Sequence, residues 1–149
     1  MANLLKSMTN WSEIKQNLVN DNFRSLARAI SLVENDAIGY EDFLASLKIN
    51  NEIPILGITG PPGAGKSTIV NSLISEYLAK GHKVAVIAID PTSPFNFGSL
   101  LGDRIRMGEH FTNQNVFIRS IATRGSLGGL SAKTIEICDL IRAYPFDLI

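Results

Sequence analysis

The chain has 149 residues, 45% hydrophobic and 19% charged, with 14 lysines and arginines against 14 aspartates and glutamates. That length suits one ordinary domain with a real core, and the composition excludes a disordered or fibrous chain. A formal charge of zero argues against nucleic acid as the main partner.

The opening "MANLLKSMTNWSEIK" has neither the apolar centre of a signal peptide nor the arginine-rich pattern of a transit peptide. No apolar run approaches the roughly 18 to 20 residues of a membrane span. Cys138 is the single cysteine, so no internal disulfide can form and a reducing compartment fits. The expectation is a cytoplasmic protein with no membrane segment.

Residues 11–49 read as helical. Phe23, Leu26, Ala27, Ile30 and Val33 recur at the spacing of one buried helix face, with Asn20 or Asp21 as N-cap and "ENDAIG" as the exit. Tyr40, Phe43, Leu44 and Leu47 repeat the pattern on a shorter helix. These stripes predict packing rather than chemistry. "NNEIP" links them to a different section, which divides the chain into an N-terminal helical segment (1–52) and an α/β section (53–149).

In that section "ILGIT" and "KVAVIAI" are short, nearly continuous apolar runs, as expected of parallel strands covered on both faces. "NVFIRSIA" is a third. Between the first two, "KSTIVNSLISEYLAKG" places Ile69, Leu73, Ile74 and Tyr77 on one helix face, with Gly81 as the stop. The strand–helix–strand order implies a right-handed crossover and a parallel sheet. "SAKTIEICDLIRA" predicts a further helix, capped by Ser131, with Ile135, Leu140 and Ile141 apolar; "FDLI" begins a fourth strand.

The joint between the first strand and its helix reads "GPPGAGKST", the phosphate-loop pattern GxxxxGK[ST]. Gly60, Gly63, Ala64 and Gly65 let the backbone curl and turn N–H groups inward around an anion, beside the helix N-terminus. Lys66, the one candidate catalytic residue, reaches the β- and γ-phosphates as a point charge, Ser67 places its hydroxyl on Mg²⁺, and Thr68 lies near the α-phosphate. Pro61 and Pro62 stiffen the loop. The pattern sits between a predicted strand and helix, where its mechanism requires it, so nucleotide binding is the reading.

Asp90 ends the second strand in "AIDPTSP", either as a ligand to a Mg²⁺-bound water or as a turn-initiating Asp-Pro. Asp103, Arg104 and Arg106 in "FNFGSLLGDRIRMGEHF" fit a mobile phosphate-sensing loop or a solvated surface loop. Arg124 lies in a glycine-rich stretch that reads as a second flexible ligand-facing loop or as a plain loop into the Ser131-capped helix. His82 and His110 stand alone, which disfavours a transition-metal site, and Cys138 reads as small core packing.

Together "GITGPPGAGKST", "VAVIAIDPTSPF…GSLLGDRIRM" and "VFIRSIATRGSLGGLS" resemble the MeaB/ArgK family of P-loop GTPases. The resemblance covers roughly residues 20–149, including the helical "LARAISLVEN". It implies a SIMIBI-type P-loop NTPase fold, a parallel-sheet α/β G domain with an N-terminal helical extension. It also implies GTP and Mg²⁺ as cofactors, with Asp90 and Asp103 joining Ser67 in the Mg²⁺ and switch region. The family's partners are adenosylcobalamin-dependent acyl-CoA mutases of the methylmalonyl-CoA mutase type, whose cofactor loading or protection GTP hydrolysis gates. It further implies a homodimer for the full-length protein.

In that family an acidic, glycine-containing switch and an NKxD-type guanine-reading motif follow the strand begun by "FDLI", and this sequence carries neither. The chain accordingly reads as the N-terminal, C-terminally incomplete part of a G domain, its fourth strand lying beside the phosphate-loop strand. The other readings are an ATP-dependent P-loop kinase and a non-hydrolysing nucleotide-binding fragment.

Overall fold

The computed structural model describes residues 9–20, 22–90, 110, 112–122 and 132–149. The helical lead-in forms three helices, α1 (Trp11–Val19), α2 (Phe23–Glu34) and α3 (Tyr40–Ala45). Asparagine side chains start the first two. Asn10 Oδ1 accepts from the Glu13 N–H, and Asn22 Oδ1 accepts from the Ser25 N–H, satisfying donors that a helix leaves unpaired at its start. The α2 cap is thus Asn22, not the expected Asn20 or Asp21, because its carboxamide reaches the third helical N–H.

The turn between α2 and α3 requires glycine at position 39. Its φ is +85°, and a Cβ there would lie 3.0 Å from Trp11 Nε1. That indole donates to the Ile38 carbonyl at 2.9 Å and stacks on Phe43, so α1 closes over the turn.

The α/β section contributes α4 (Lys66–Ala79), β1 (Val84–Asp90), β2 (Val116–Ala122) and α5 (Ala132–Arg142). β1 and β2 pair in parallel, Val84 opposite Val116 through Asp90 opposite Ala122. Gly81 ends α4 as expected, with φ +78° and its N–H donating to the Leu78 carbonyl.

Side chains alternate across these strands with the pleat. Val84, Val86, Val116 and Ile118 pack with Leu148 against Val70, Ile74, Tyr77 and Leu78 of α4. Ala85, Ile87, Ile89, Phe117 and Ile121 face the other way, into one core with Leu26, Ile30 and Val33 of α2, Phe43 of α3, and Ile137, Leu140 and Ile141 of α5. Residues from both sides of position 52 share this core. Phe23, Phe117, Tyr144 and Phe146 form its aromatic centre, with ring centroids 4.7–6.3 Å apart. Helices on both faces of a parallel pair explain why these runs are nearly continuously apolar.

Two polar ties fasten the helical lead-in to this body. Arg119 occupies an inward position of β2, and its guanidinium donates to Ser31 Oγ at 2.9 Å and Glu34 Oε2 at 2.8 Å. Lys133 bonds Asp36 and Glu136 at 2.7 and 2.8 Å and lies 3.7 Å from the centre of the Tyr40 ring. Burial works against the Lys133 ammonium, but hydrogen bonds to Asp36, Glu136 and Tyr40 outweigh it and raise its pKa above the ordinary lysine value.

Three sequence expectations change. "ILGIT" forms no assigned strand. The Leu56 N–H donates to the Ile149 carbonyl at 2.8 Å and the Ile149 N–H to the Pro54 carbonyl at 3.0 Å, a parallel pairing. Leu148 bridges to Val84 on its other side. "FDLI" therefore does lie beside the phosphate-loop segment, but its pairing with that segment reaches only to Leu56. Residues 57–59 make no backbone pair among the described residues, and Ile55 and Leu56 stay 44% and 51% exposed. Ile69, expected on the buried face of α4, is 52% exposed; Ile74, five residues on, is the buried anchor of that face. On α5, Ile137 is buried while Ile135 is exposed, and Cys138 is half-buried rather than core, with burial pushing its thiol pKa up.

Leu26 is fully buried between the helical lead-in and the sheet. Leu26→Ala is expected to destabilise the chain by about 3 kcal/mol, read as a lower midpoint in urea unfolding. Tyr144 is 1% exposed with an unpartnered hydroxyl, and burial pushes its pKa up to about 12. Its folded pKa exceeds the unfolded value, so its contribution is complete below about pH 10 and is lost as pH rises through 12. Tyr144→Phe is expected to leave neutral-pH stability equal or higher and to flatten the alkaline fall in melting temperature.

Candidate functional site: an anion cradle at the start of α4

Residues 54–60 run out from the Ile149 pairing and turn into α4 through Pro61, Pro62, Gly63, Ala64 and Gly65. Two glycines on this turn have left-handed backbones, Gly63 at φ +78° and Gly65 at φ +83°. A Cβ at either would meet nothing within 4 Å, so the glycines serve backbone conformation and leave open space over the loop. The Ala64 N–H donates to the Pro61 carbonyl at 3.3 Å and holds the curl.

Gly65 is the N-cap of α4, with no side-chain capping bond, and the first turn contains no acidic residue. The first intrahelical donor is the Ile69 N–H, to the Gly65 carbonyl at 3.1 Å. The N–H groups of Lys66, Ser67 and Thr68 thus stand at a helix start with no side-chain cap and no acidic residue in its first turn. Lys66 folds back over the loop, its Nζ donating to the Gly60 carbonyl at 2.8 Å and the Pro61 carbonyl at 2.9 Å. An ammonium has three donors, so one remains for an incoming anion. Lysine, helix start and glycine turn meet at one exposed turn, a combination that suits phosphate.

The structure therefore brings Gly60, Gly63, Ala64, Gly65, Lys66, Ser67 and Thr68 into one turn. Asp90 is the last residue of β1, its backbone paired with Ala122. Because residues 54–56 and β1 run in parallel on either side of Leu148 and Ile149, the end of β1 and the loop lie at the same end of the sheet. Asp103, Arg104, Arg106 and Arg124 lie outside the described residues. Mg²⁺ takes hard oxygen ligands, commonly one or two from protein with the rest from water and phosphate. A hydroxyl at Ser67 and a carboxylate at Asp90 are donors of that kind. No group of three or more His, Cys, Asp or Glu side chains that could hold a metal occurs among the described residues.

Sequence reading missed what lies beside the loop. An open groove of about 640 Å³ is lined by Ser67, Thr68, Asn71, Ser72 and Ser75. Its only sequence signal was the small polar residues at three- and four-residue spacing on α4. His82 lies at the opposite end of β1, 3.4 Å from Asp147, and His110 is buried with Nε2 unpartnered. Among the described residues no helix is long and apolar enough to cross a membrane.

Gly65→Ala has room for its methyl group but not the backbone conformation. It is expected to lower stability by about 1 kcal/mol, measured by thermal unfolding without ligand, whereas Ala64→Gly is expected to change it less.

The family model described as methylmalonyl-CoA mutase-associated GTPase MeaB matches residues 26–149. A Pyrococcus horikoshii protein provisionally named a GTPase is 49% identical over 138 residues, covering 92% of this chain and 44% of the relative. The GTPase ArgK of Escherichia coli is 38% identical over 130 residues, 84% of this chain and 39% of that protein. The mouse mitochondrial methylmalonic aciduria type A homolog is 42% identical over 94 residues, 63% of this chain and 23% of that protein. The chain spans about two fifths of the length of the bacterial and archaeal relatives it matches. With the family match reaching from α2 through the phosphate loop to the last residue, the chain belongs to the MeaB family of GTPases.

Proposed function

We propose that this chain supplies the triphosphate-holding part of a GTP site. Extended to the length of its relatives, the protein hydrolyses GTP in the service of an adenosylcobalamin-dependent acyl-CoA mutase. The observation that carries the nucleotide reading is Lys66 arched over the loop beside an α4 start that has no acidic residue in its first turn. Family membership, and relatives named as GTPases, support GTP as the nucleotide. The family's description and the methylmalonic aciduria relative support the mutase as partner.

In this reading the curled backbone of residues 60–65 and the first N–H groups of α4 orient the phosphate chain. Lys66 exchanges a loop carbonyl for phosphate oxygen and stabilises the charge that shifts toward the leaving group. Ser67, Asp90 and Asp103 are the residues that would hold Mg²⁺, which would neutralise phosphate charge there. Arg104 or Arg106 adds positive charge at the γ-phosphate. Two states of the loops following β1 and β2, biased by the γ-phosphate, then gate loading or protection of the mutase cofactor.

Titration with GTP and ATP in Mg²⁺ tests this. The chain is expected to bind triphosphate, and Lys66→Ala to weaken binding at least tenfold, roughly the 1.4 kcal/mol of one charge-assisted contact. Extended to its relatives' length, the protein is expected to prefer GTP. Tighter binding of ATP would replace the GTPase reading with an ATP-dependent kinase.

A further inference from the structure

We propose that Arg142, at the far end of α5 from the loops, is a positioning residue for the phosphate loop. By gripping the root of residues 54–60 it sets the placement of the cradle and hence its affinity for nucleotide, a consequence that rests on the GTP-site reading above.

Two bonds make the grip. Arg142 Nη2 donates to the Ile53 carbonyl at 3.2 Å, and the Arg142 carbonyl accepts from the Asn50 N–H at 3.1 Å. The same residue thus holds both ends of the turn that delivers the chain from the helical lead-in. The turn is closed by the Ile53 N–H to the Asn50 carbonyl at 3.4 Å and the Glu52 N–H to Asn50 Oδ1 at 3.0 Å. Ile53 is 5% exposed, whereas residues 54–57 are all exposed. From Pro54 to Gly60 the only backbone pairs among the described residues are the two with Ile149.

Among the described residues, hydrogen bonds to Ile149 and from Arg142 tie down this segment and its root. The loop is suspended between α4 and this root. The chain from Arg142 leads directly through Tyr144 and Phe146 to Ile149, so one residue connects the root to the strand that pairs with it. The Arg142 side chain is 23% exposed, its Nη1 is 4.0 Å from Asp139 Oδ1, and its Nε is buried with no hydrogen-bond partner among the described residues. An unpaired buried donor is unfavourable, and the site tolerates it in exchange for the reach to Ile53. A basic residue in the last turn also complements the helix dipole. That simpler role would be served equally by lysine and would not involve the loop root.

The test is amide hydrogen exchange on the nucleotide-free chain, followed by binding of a fluorescent GTP analogue. Arg142→Met keeps the apolar stem and removes the donors. The Leu56 and Ile149 amides are expected to exchange about tenfold faster, the scale of one hydrogen bond to a charged group, while β1 and β2 amides keep their rates. Affinity for the analogue is expected to fall by about the same factor, and Arg142→Lys to restore part of both effects. Unchanged exchange at Leu56 and Ile149 overturns the proposal, as does faster exchange with unchanged affinity. If β1 and β2 amides also accelerate in Arg142→Met, Arg142→Lys decides: exchange as fast throughout the chain means a purely structural role and sinks the idea. Should the unsubstituted chain bind no nucleotide, the GTP-site reading fails, and the exchange measurements alone still decide whether Arg142 anchors the root.

Discussion

The parallel pairing of β1 with β2, buried on both faces, is the constraint from which the rest of this structure follows. Once alternate side chains must be covered above and below, helices are needed on each side, and α4 and the α2–α3–α5 cluster fill those places. Parallel strands also cannot be joined by tight turns, so each must be reached through a crossover. The crossover from residues 54–60 into α4 creates the sharp turn that holds the cradle. The site is a by-product of sheet topology, placed at the strands' C-terminal end where helix starts converge.

Electrostatics then separates the polar groups that support the body from those left for a ligand. Arg119 and Lys133 spend their donors on Glu34, Ser31, Asp36 and Glu136, closing the helical lead-in onto the sheet. Lys66 instead has only backbone carbonyls as partners, and the α4 start has no acidic side chain nearby in its first turn. A cation bonded to neutral acceptors loses little when a phosphate replaces one of them. The same residue type thus serves as strut at position 133 and folds over neutral carbonyls at position 66, and its partners make the difference.

Periodicity made the helices and both paired strands legible, because apolar spacing reports which face is buried whatever the partner is. The phosphate loop was legible for a different reason. Its chemistry depends on backbone freedom at Gly63 and Gly65 and on a lysine at fixed spacing, all local properties. Less was legible where a residue's role depends on a distant neighbour. "ILGIT" has the composition of a covered strand, yet among the described residues its backbone pairs only with Ile149, at Leu56. Ile69 and Ile135 carry the right spacing, yet they are 52% and 64% exposed.

The sequence by itself determined the α/β class, the order of the helices and the two paired strands, and the glycine turn into α4, because each follows from short-range patterns of burial and backbone freedom. Family membership was legible there too, in strings such as "GITGPPGAGKST". Only the tertiary structure decided that the helical lead-in shares the sheet's core, that Leu148 and Ile149 bond on both sides, and that Arg142 holds Ile53 across 89 positions of chain. Such contacts join residues far apart in sequence, and no local preference encodes a partner that only the folded chain brings within reach.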